Sequence, residues 1–230
     1  MNRIIIATII CLFTAFPLWA GSKVEERLKN AATVLDEILT VPDNIPRNLL
    51  DTSVCVVVIP SVKKLAIGLG GSYGRGAMVC RGGEKFRGPW GAPTMMALEG
   101  GSLGLQLGGQ EIDYVLLVMS PSGANSLLGS KVKLGVDATA AAGPKGGTVS
   151  VETEALLKAQ ILSYSRSRGL LGGISLRGST LRPDDDANEE LYSRKIKARD
   201  IVRSDTVKPP QAATSLVKCL EKASPGHIAV

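Results

Sequence analysis

The sequence predicts an α+β protein: a glycine-rich antiparallel β-sheet, or a partly closed barrel, of about eight strands, with an N-terminal amphipathic helix and C-terminal helices. Three observations carry this. Apolar residues recur at three- and four-residue intervals as far as Thr40. From Val54 to Leu176 the texture is β-branched and alternating, cut by turn-forming residues. From Pro183 onward helical patterns rich in charge return.

The first twenty residues, "MNRIIIATIICLFTAFPLWA", carry one basic residue, an apolar run from Ile4 to Phe16, a helix-breaking Pro17 and a small residue at Ala20. This predicts a secretory signal peptide cleaved near Ala20. The run is short for a bilayer span of about 20 residues. The expected organisation is a signal peptide over 1–20, a main domain over 21–200 with its core at 46–192, and a C-terminal helix and tail over 201–230. The expected location is periplasmic or secreted, with peripheral membrane association open.

Ser22 and Glu25 have the spacing of a capping box. Val24, Leu28, Ala31, Leu35, Ile38 and Leu39 then form one apolar stripe. The polar face sets Lys23, Arg27 and Lys29 against Glu25, Glu26, Asp36 and Glu37. A helix lying on a membrane usually carries a basic polar face, so this one is expected to dock on its own domain. "VPDNIPRNLLDTS" adds a turn and a short helix from Pro46. "VCVVVIP" reads as a buried strand, followed by "LAIGLGG", "GAMVC", "TMMALEGG", "SLGLQLGG" and "YVLLVMS". A short helix is expected over 121–128, and "KVKLGVDATAAAGP" and "GGTVSVET" resume extended structure. A hairpin follows, with strands over about 160–165 and 170–176 and its turn at 166–169. Glycine weakens strands, so its density here implies tight bends or very close backbone approach. "DDDANEELYSRKIKARDIV" and "QAATSLVKCLEKA" close the chain as helices.

The chain has 230 residues and a net charge of +6. That excess suits anionic surfaces such as phospholipid head groups. After processing, Cys55, Cys80 and Cys219 remain. An exported protein permits disulfides, and Cys55 and Cys80 both fall in strand-like runs. Pairing of these two, or three buried thiols, both stay open.

Catalytic patterns fail one by one. "GLGGSYGRG" places Tyr73 where G-x-G-x-x-G needs glycine, and Gly76 is followed by Ala77 where a P-loop needs lysine. "GGSLG" around Ser102 fits a nucleophile elbow, but the following "LGLQLGGQ" is strand-like. The single histidine, His227, sits near the C-terminus, which argues against a triad and against zinc. Ser61–Lys64 and Ser215–Lys218 match S-x-x-K by chance spacing only. Asp184, Asp186 and Asn188 imitate a calcium loop, but Glu189 replaces its glycine and Lys195 its final glutamate. No enzyme, cofactor or metal is expected.

Five phrases in order are specific. "VVIPSVKKLAIGLGGSYGRGAMVCR" and then "GGSLGLQLGGQEIDYVLLVMS" are followed by "KLGVDATAAAGPKG", "ILSYSRSRGLLGGISLRGSTLRPDDDAN" and Tyr192. Over about 46–192 the chain resembles the SYLF family, a lipid-binding domain also described as an actin regulator. The resemblance implies a non-catalytic domain that binds anionic phospholipids, with a protein-interaction scaffold of the actin-regulator type as the alternative; the elbow pattern supplies the third reading, a serine hydrolase using Ser102. Actin transfers least, since export would part the chain from it.

For head-group contact the candidates are Lys63 and Lys64 in one turn, Arg166 and Arg168 at the tip of the hairpin, and Arg75. Trp90, in "GPWGAP", is the candidate for interfacial depth. The expected partner is an anionic membrane surface or a protein, and no nucleic acid.

Overall fold

The computed structural model describes residues 22–41, 44–67, 69–83, 85–103, 108–144, 158–167, 170–173 and 176–227. The expected signal peptide and the "GGTVSVET" segment lie outside them.

Helix α1 (Lys23–Thr40) opens on the expected capping box: Glu25 N donates to Ser22 Oγ and Ser22 N to Glu25 Oε2, each at 3.2 Å. Its stripe of Val24, Leu28, Ala31, Leu35 and Ile38 is buried, and burial of each larger side chain contributes about 2 kcal/mol. The helix docks on its own domain, against the sheet and a C-terminal helix, α6 (Thr214–Ala223). Helix α2 (Arg47–Thr52) follows Pro46.

Four long antiparallel strands form the middle of the sheet: β1 (Cys55–Ile67), β2 (Leu69–Cys80), β3 (Thr94–Leu103) and β4 (Gly108–Val118). They fuse segments that the sequence suggests are separate short strands. Lys63 and Lys64 therefore lie inside β1, not in a turn. Between the pairs Val58↔Ala77 and Lys63↔Tyr73, β1 holds one more residue than β2, a β-bulge. Ser61 sits in it with φ 47°, its N–H donating to Asp113 Oδ1 at 2.9 Å. Gly76 lies beneath: a Cβ there would stand 2.0 Å from Val58 O.

Five shorter strands complete the sheet: β5 (Val132–Lys133), β6 (Ala140–Ala142), β7 (Ile161–Ser167), β8 (Leu170–Gly173) and β9 (Thr180–Pro183). An eight-strand path runs β5-β9-β3-β2-β1-β4-β7-β6, with β8 paired to β7. Among the named strands that are described, only β6 and β7 pair in parallel. Helix α3 (Pro121–Gly129) follows β4. The path curls into a half-barrel and does not close among the described residues.

Both faces are covered. Val56, Val58, Ala77, Val79, Val115 and Leu117 pack toward α1 and α6. Val57, Ile59, Met78, Met96, Leu116 and Val118 pack on the opposite side, with α3 and α5 (Ala198–Arg203). A strand buried on two sides reads as a continuous apolar run, which is why "VCVVVI" does not alternate. Cys55 and Cys80 are directly opposite on β1 and β2 and form a disulfide, leaving Cys219 as the free thiol. The acidic helical pattern from Asp184 breaks in two, into α4 (Asp185–Tyr192) and α5, because Ser193 turns left-handed at φ 52°.

Candidate functional site

Strand pleating separates the two lysines expected to act together. Lys63 is exposed and stands opposite Tyr73 of β2 and Glu111 of β4. Lys64, its neighbour, projects to the other face, where its ammonium lies 5.6 Å from the centre of the Tyr114 ring.

The sheet arginines are already engaged. Arg166 lies within β7, not at a hairpin tip. Its Nε and a terminal nitrogen donate to Asp113 Oδ2 at 3.1 and 2.8 Å, and its other terminal nitrogen bonds Glu37 of α1. These pairings hold its charge on more firmly than usual, against the opposing cost of burial. Arg75 bonds the Tyr73 hydroxyl and pairs with the buried carboxylate of Asp184 at 3.3 Å, and Arg27 of α1 reaches the same oxygen at 4.0 Å. The two sheet arginines thus fasten the region around α1 to the sheet; neither is a free surface cation. Arg168 lies outside the described residues.

Trp90 is corrected outright. It is 4% exposed, donates from Nε1 to Ser224 O at 2.9 Å, and lies under the guanidinium of Arg81 at 4.1 Å. It is a core residue because its indole N–H is satisfied only by the chain that follows α6.

Sequence reasoning missed Arg81 itself, which is fully buried. It donates to Ser53 O at 3.3 Å, to Ser224 O and Oγ at 3.2 and 2.6 Å, and to Gly226 O at 3.1 Å. Desolvation pulls its affinity for the proton down.

Cations without an ion pair gather elsewhere. A cleft of about 510 Å³ opens between the end of α3, β9 and the start of α5, bordered by Lys131, Arg182, Lys197 and Arg199 with Asp185 and Asp200. A second depression of about 330 Å³ shares Lys197 and Asp200 and adds Arg194 and Lys195. Lys131, Arg194, Lys195 and Arg199 are exposed and make no ion pair among the described residues. Lys197 bonds Asp185 at 2.8 Å, and Arg182 bonds Glu99 through two nitrogens at 2.9 and 2.7 Å.

Comparison with known proteins fits this chain to a family. Residues 99–223 match the Ysc84 family model, described as "Las17-binding protein actin regulator". The chain belongs to the Ysc84, or SYLF, family. It is 30% identical over 198 residues to the human SH3 domain-containing YSC84-like protein 1, covering 83% of this chain and 57% of that protein. It is 32% identical over 209 residues to an SH3 domain-containing protein of Schizosaccharomyces pombe, covering 86% and 47%. With the LAS seventeen-binding protein 3 of Saccharomyces cerevisiae (strain ATCC 204508 / S288c) it shares 27% over 202 residues, covering 84% and 43%. The chain spans about half the length of these curated relatives.

Within this SYLF chain the catalytic imitations find no support. Ser102 lies in β3 opposite Gly70, and the next described element is again a strand, β4. Asn188 Oδ1 accepts from Thr94 Oγ1 at 3.1 Å and Met95 N at 2.7 Å, so it braces β3 in place of a calcium ion. Burial pushes the Cys219 thiol up to about 11, which leaves little thiolate at neutral pH. The one legible sign of the basic cleft was the run "SRKIKAR"; Lys131 joins it only through the fold.

Proposed function

We propose that this SYLF domain works by association, docking on anionic phospholipid head groups through the surface formed by residues 194–203 and Lys131. One observation carries the reading: the two adjoining depressions gather Lys131, Arg194, Lys195 and Arg199, exposed and without an ion pair among the described residues, whereas Arg75 and Arg166 are consumed by ion pairs. Each cation near an anionic bilayer contributes about 1 kcal/mol. Lys63 and Lys64 stay secondary contributors, on opposite faces of β1. Export past residue 20 would set this contact at an extracytoplasmic membrane surface.

The test uses vesicles of phosphatidylcholine with and without phosphatidylglycerol. The parent protein sediments with the anionic vesicles only, and binding falls as salt shortens the screening length. Arg194→Glu/Lys195→Glu weakens it by about tenfold or more. A folded double variant that binds like the parent sinks the reading.

A protein-scaffold role is the second reading, favoured by the family description, which reads Las17-binding and actin regulator, and by a relative named for LAS seventeen binding. Docking on apolar protein surface would persist at high salt, and head-group binding would not.

A further inference from the structure

The chain's single histidine sits where a positive charge is hard to hold. His227 follows Ser224, the residue that ends α6, by three positions. Both of its ring nitrogens are buried and neither has a hydrogen-bond partner, although the residue as a whole is only half-buried. A neutral imidazole tolerates such a place at moderate cost. An imidazolium would bring a charge and two unmet donors.

The charges that bear on this ring are cations. Arg81 lies just past β2, in an antiparallel bridge to Trp90, and is fully buried. Its Nη2 donates to the carbonyl of Gly226, the residue before His227, at 3.1 Å, while its Nη1 is buried without a partner. The acid that acts on Arg81, Asp51 of α2, is shared with Arg47 at 3.8 Å. Arg87, in the loop after β2, is the second cation, and α2 contributes the Thr52 backbone. Burial first, then the Arg81 charge, hold the imidazole below the usual histidine value; Arg87 adds to this and Thr52 opposes it. The grip on the tail is slight. Ser224 is buried and its N–H donates to Leu220 O at 2.8 Å, but Pro225 and Gly226 are exposed, and a Cβ at Gly226 would meet nothing within 4 Å.

We propose that residues 225–227 form an acid-released latch, in which protonation of His227 beside Arg81 and Arg87 drives the tail off the buried guanidinium. Release costs one hydrogen bond, to Gly226 O, and admits water to the donors of Arg81, the unpartnered Nη1 included. The direction follows from where the proton binds better. A histidine in water titrates near 6.5, and the closed tail lowers that value, so the released tail takes the proton more readily. Closure is therefore at full strength above about pH 6.5. Below it, closure weakens by up to about tenfold per pH unit, and weakens no further once the closed-state value is passed. The latch stands apart from the surface of residues 194–203 and works whether or not that surface meets a membrane.

Nuclear magnetic resonance of the whole chain tests the latch, because one histidine gives one imidazole titration. His227 is expected to titrate below 6.5, and Arg87→Gln, an exposed position, to move it back toward that value. Between about pH 8 and pH 5 the backbone order parameters of Gly226 and His227 fall from about 0.85 to below about 0.6, while far-ultraviolet circular dichroism stays constant. His227→Gln, which cannot take up the proton, keeps them high to about pH 5, and His227→Arg, which is always charged, keeps them low at about pH 8. Should a variant misfold, the titration and order parameters of the parent decide alone. Titration at 6.5 or above overturns the latch, as does order at Gly226 that persists while His227 protonates. Release of the tail in His227→Gln at the same pH also overturns it, by assigning the switch to another group. A loss of circular dichroism that accompanies release does so as well, since the whole chain is then unfolding.

Discussion

Arg81 shows how one residue holds the end of this chain in place. Its charge meets no carboxylate at ion-pair distance among the described residues; it meets the carbonyls of Ser53, Ser224 and Gly226, and the face of Trp90. Ser224 caps the C-terminal end of α6, where helix carbonyls lack partners and the dipole is negative. A guanidinium suits that place because its donors fan out in a plane. Arg81→Met is therefore expected to cost about 2–4 kcal/mol in urea unfolding, chiefly by leaving buried acceptors unpaired. Arg81→Lys recovers only part of this, and the emission of Trp90 shifts in both. An unchanged midpoint in Arg81→Met would show that the tail is held by its apolar contacts instead. None of this was legible in the sequence, where Arg81 ends a strand and resembles any surface cation. Burial of a charge depends on what the chain brings back from more than a hundred residues away, and the hydrogen bond to Ser224 spans a separation of 143.

Among the elements, those governed by local rules were the easiest to read. The capping box, the stripe of α1 and the start of α2 follow from spacing alone, and the docking of α1 follows from its acidic balance. Strand ends were harder, because Pro60–Ser61 and the glycines look like turns yet lie inside long strands. The bulge in β1 and the glycines facing it form one device. At Gly76 a Cβ would stand 2.0 Å from Val58 O and 2.7 Å from Ile59 Cα, backbone atoms with no rotamer to yield. Gly76→Ala is expected to cost about 3 kcal/mol or to shift the β1–β2 register, measured by thermal unfolding and by loss of amide protection along β1. A variant as stable as the parent would mean that the bulge relaxes freely. Gly143 makes a parallel case beside β7, since a Cβ there would enter the ring of Tyr164 at 2.1 Å. Close approach, one of the two causes expected of the glycine density, thus operates at both positions.

At the scale of the whole molecule, a single curled sheet separates two apolar layers, one under α1 and α6 and one under α3 and α5. The class and the approximate strand number were legible because composition switches sharply at Val54 and again at Pro183. The strand order was not, since β9 returns to the edge of β3 and brings Arg182 beside Glu99 from 83 residues away. The candidate cations suffered from the same gap: sequence shows which charges exist, and pairing with Asp113, Asp184 or Glu37 decides which remain available. The disulfide belongs at this scale, because it closes the loop between β1 and β2 at the point where the chain enters and leaves the sheet's centre. Cys55 and Cys80 are 25 residues apart, and a closed loop of that length lowers the entropy of the unfolded chain by about 3 kcal/mol at room temperature. Cys55→Ser/Cys80→Ser is thus expected to fold, because both sulfurs sit among side chains that bury regardless, yet to unfold at lower urea by that amount. The loss should appear equally in Trp90 emission and in far-ultraviolet circular dichroism, since both layers share β1 and β2. If the two probes separate, the layers unfold independently and the sheet does not couple them; if neither moves, the crosslink constrains little in the unfolded chain.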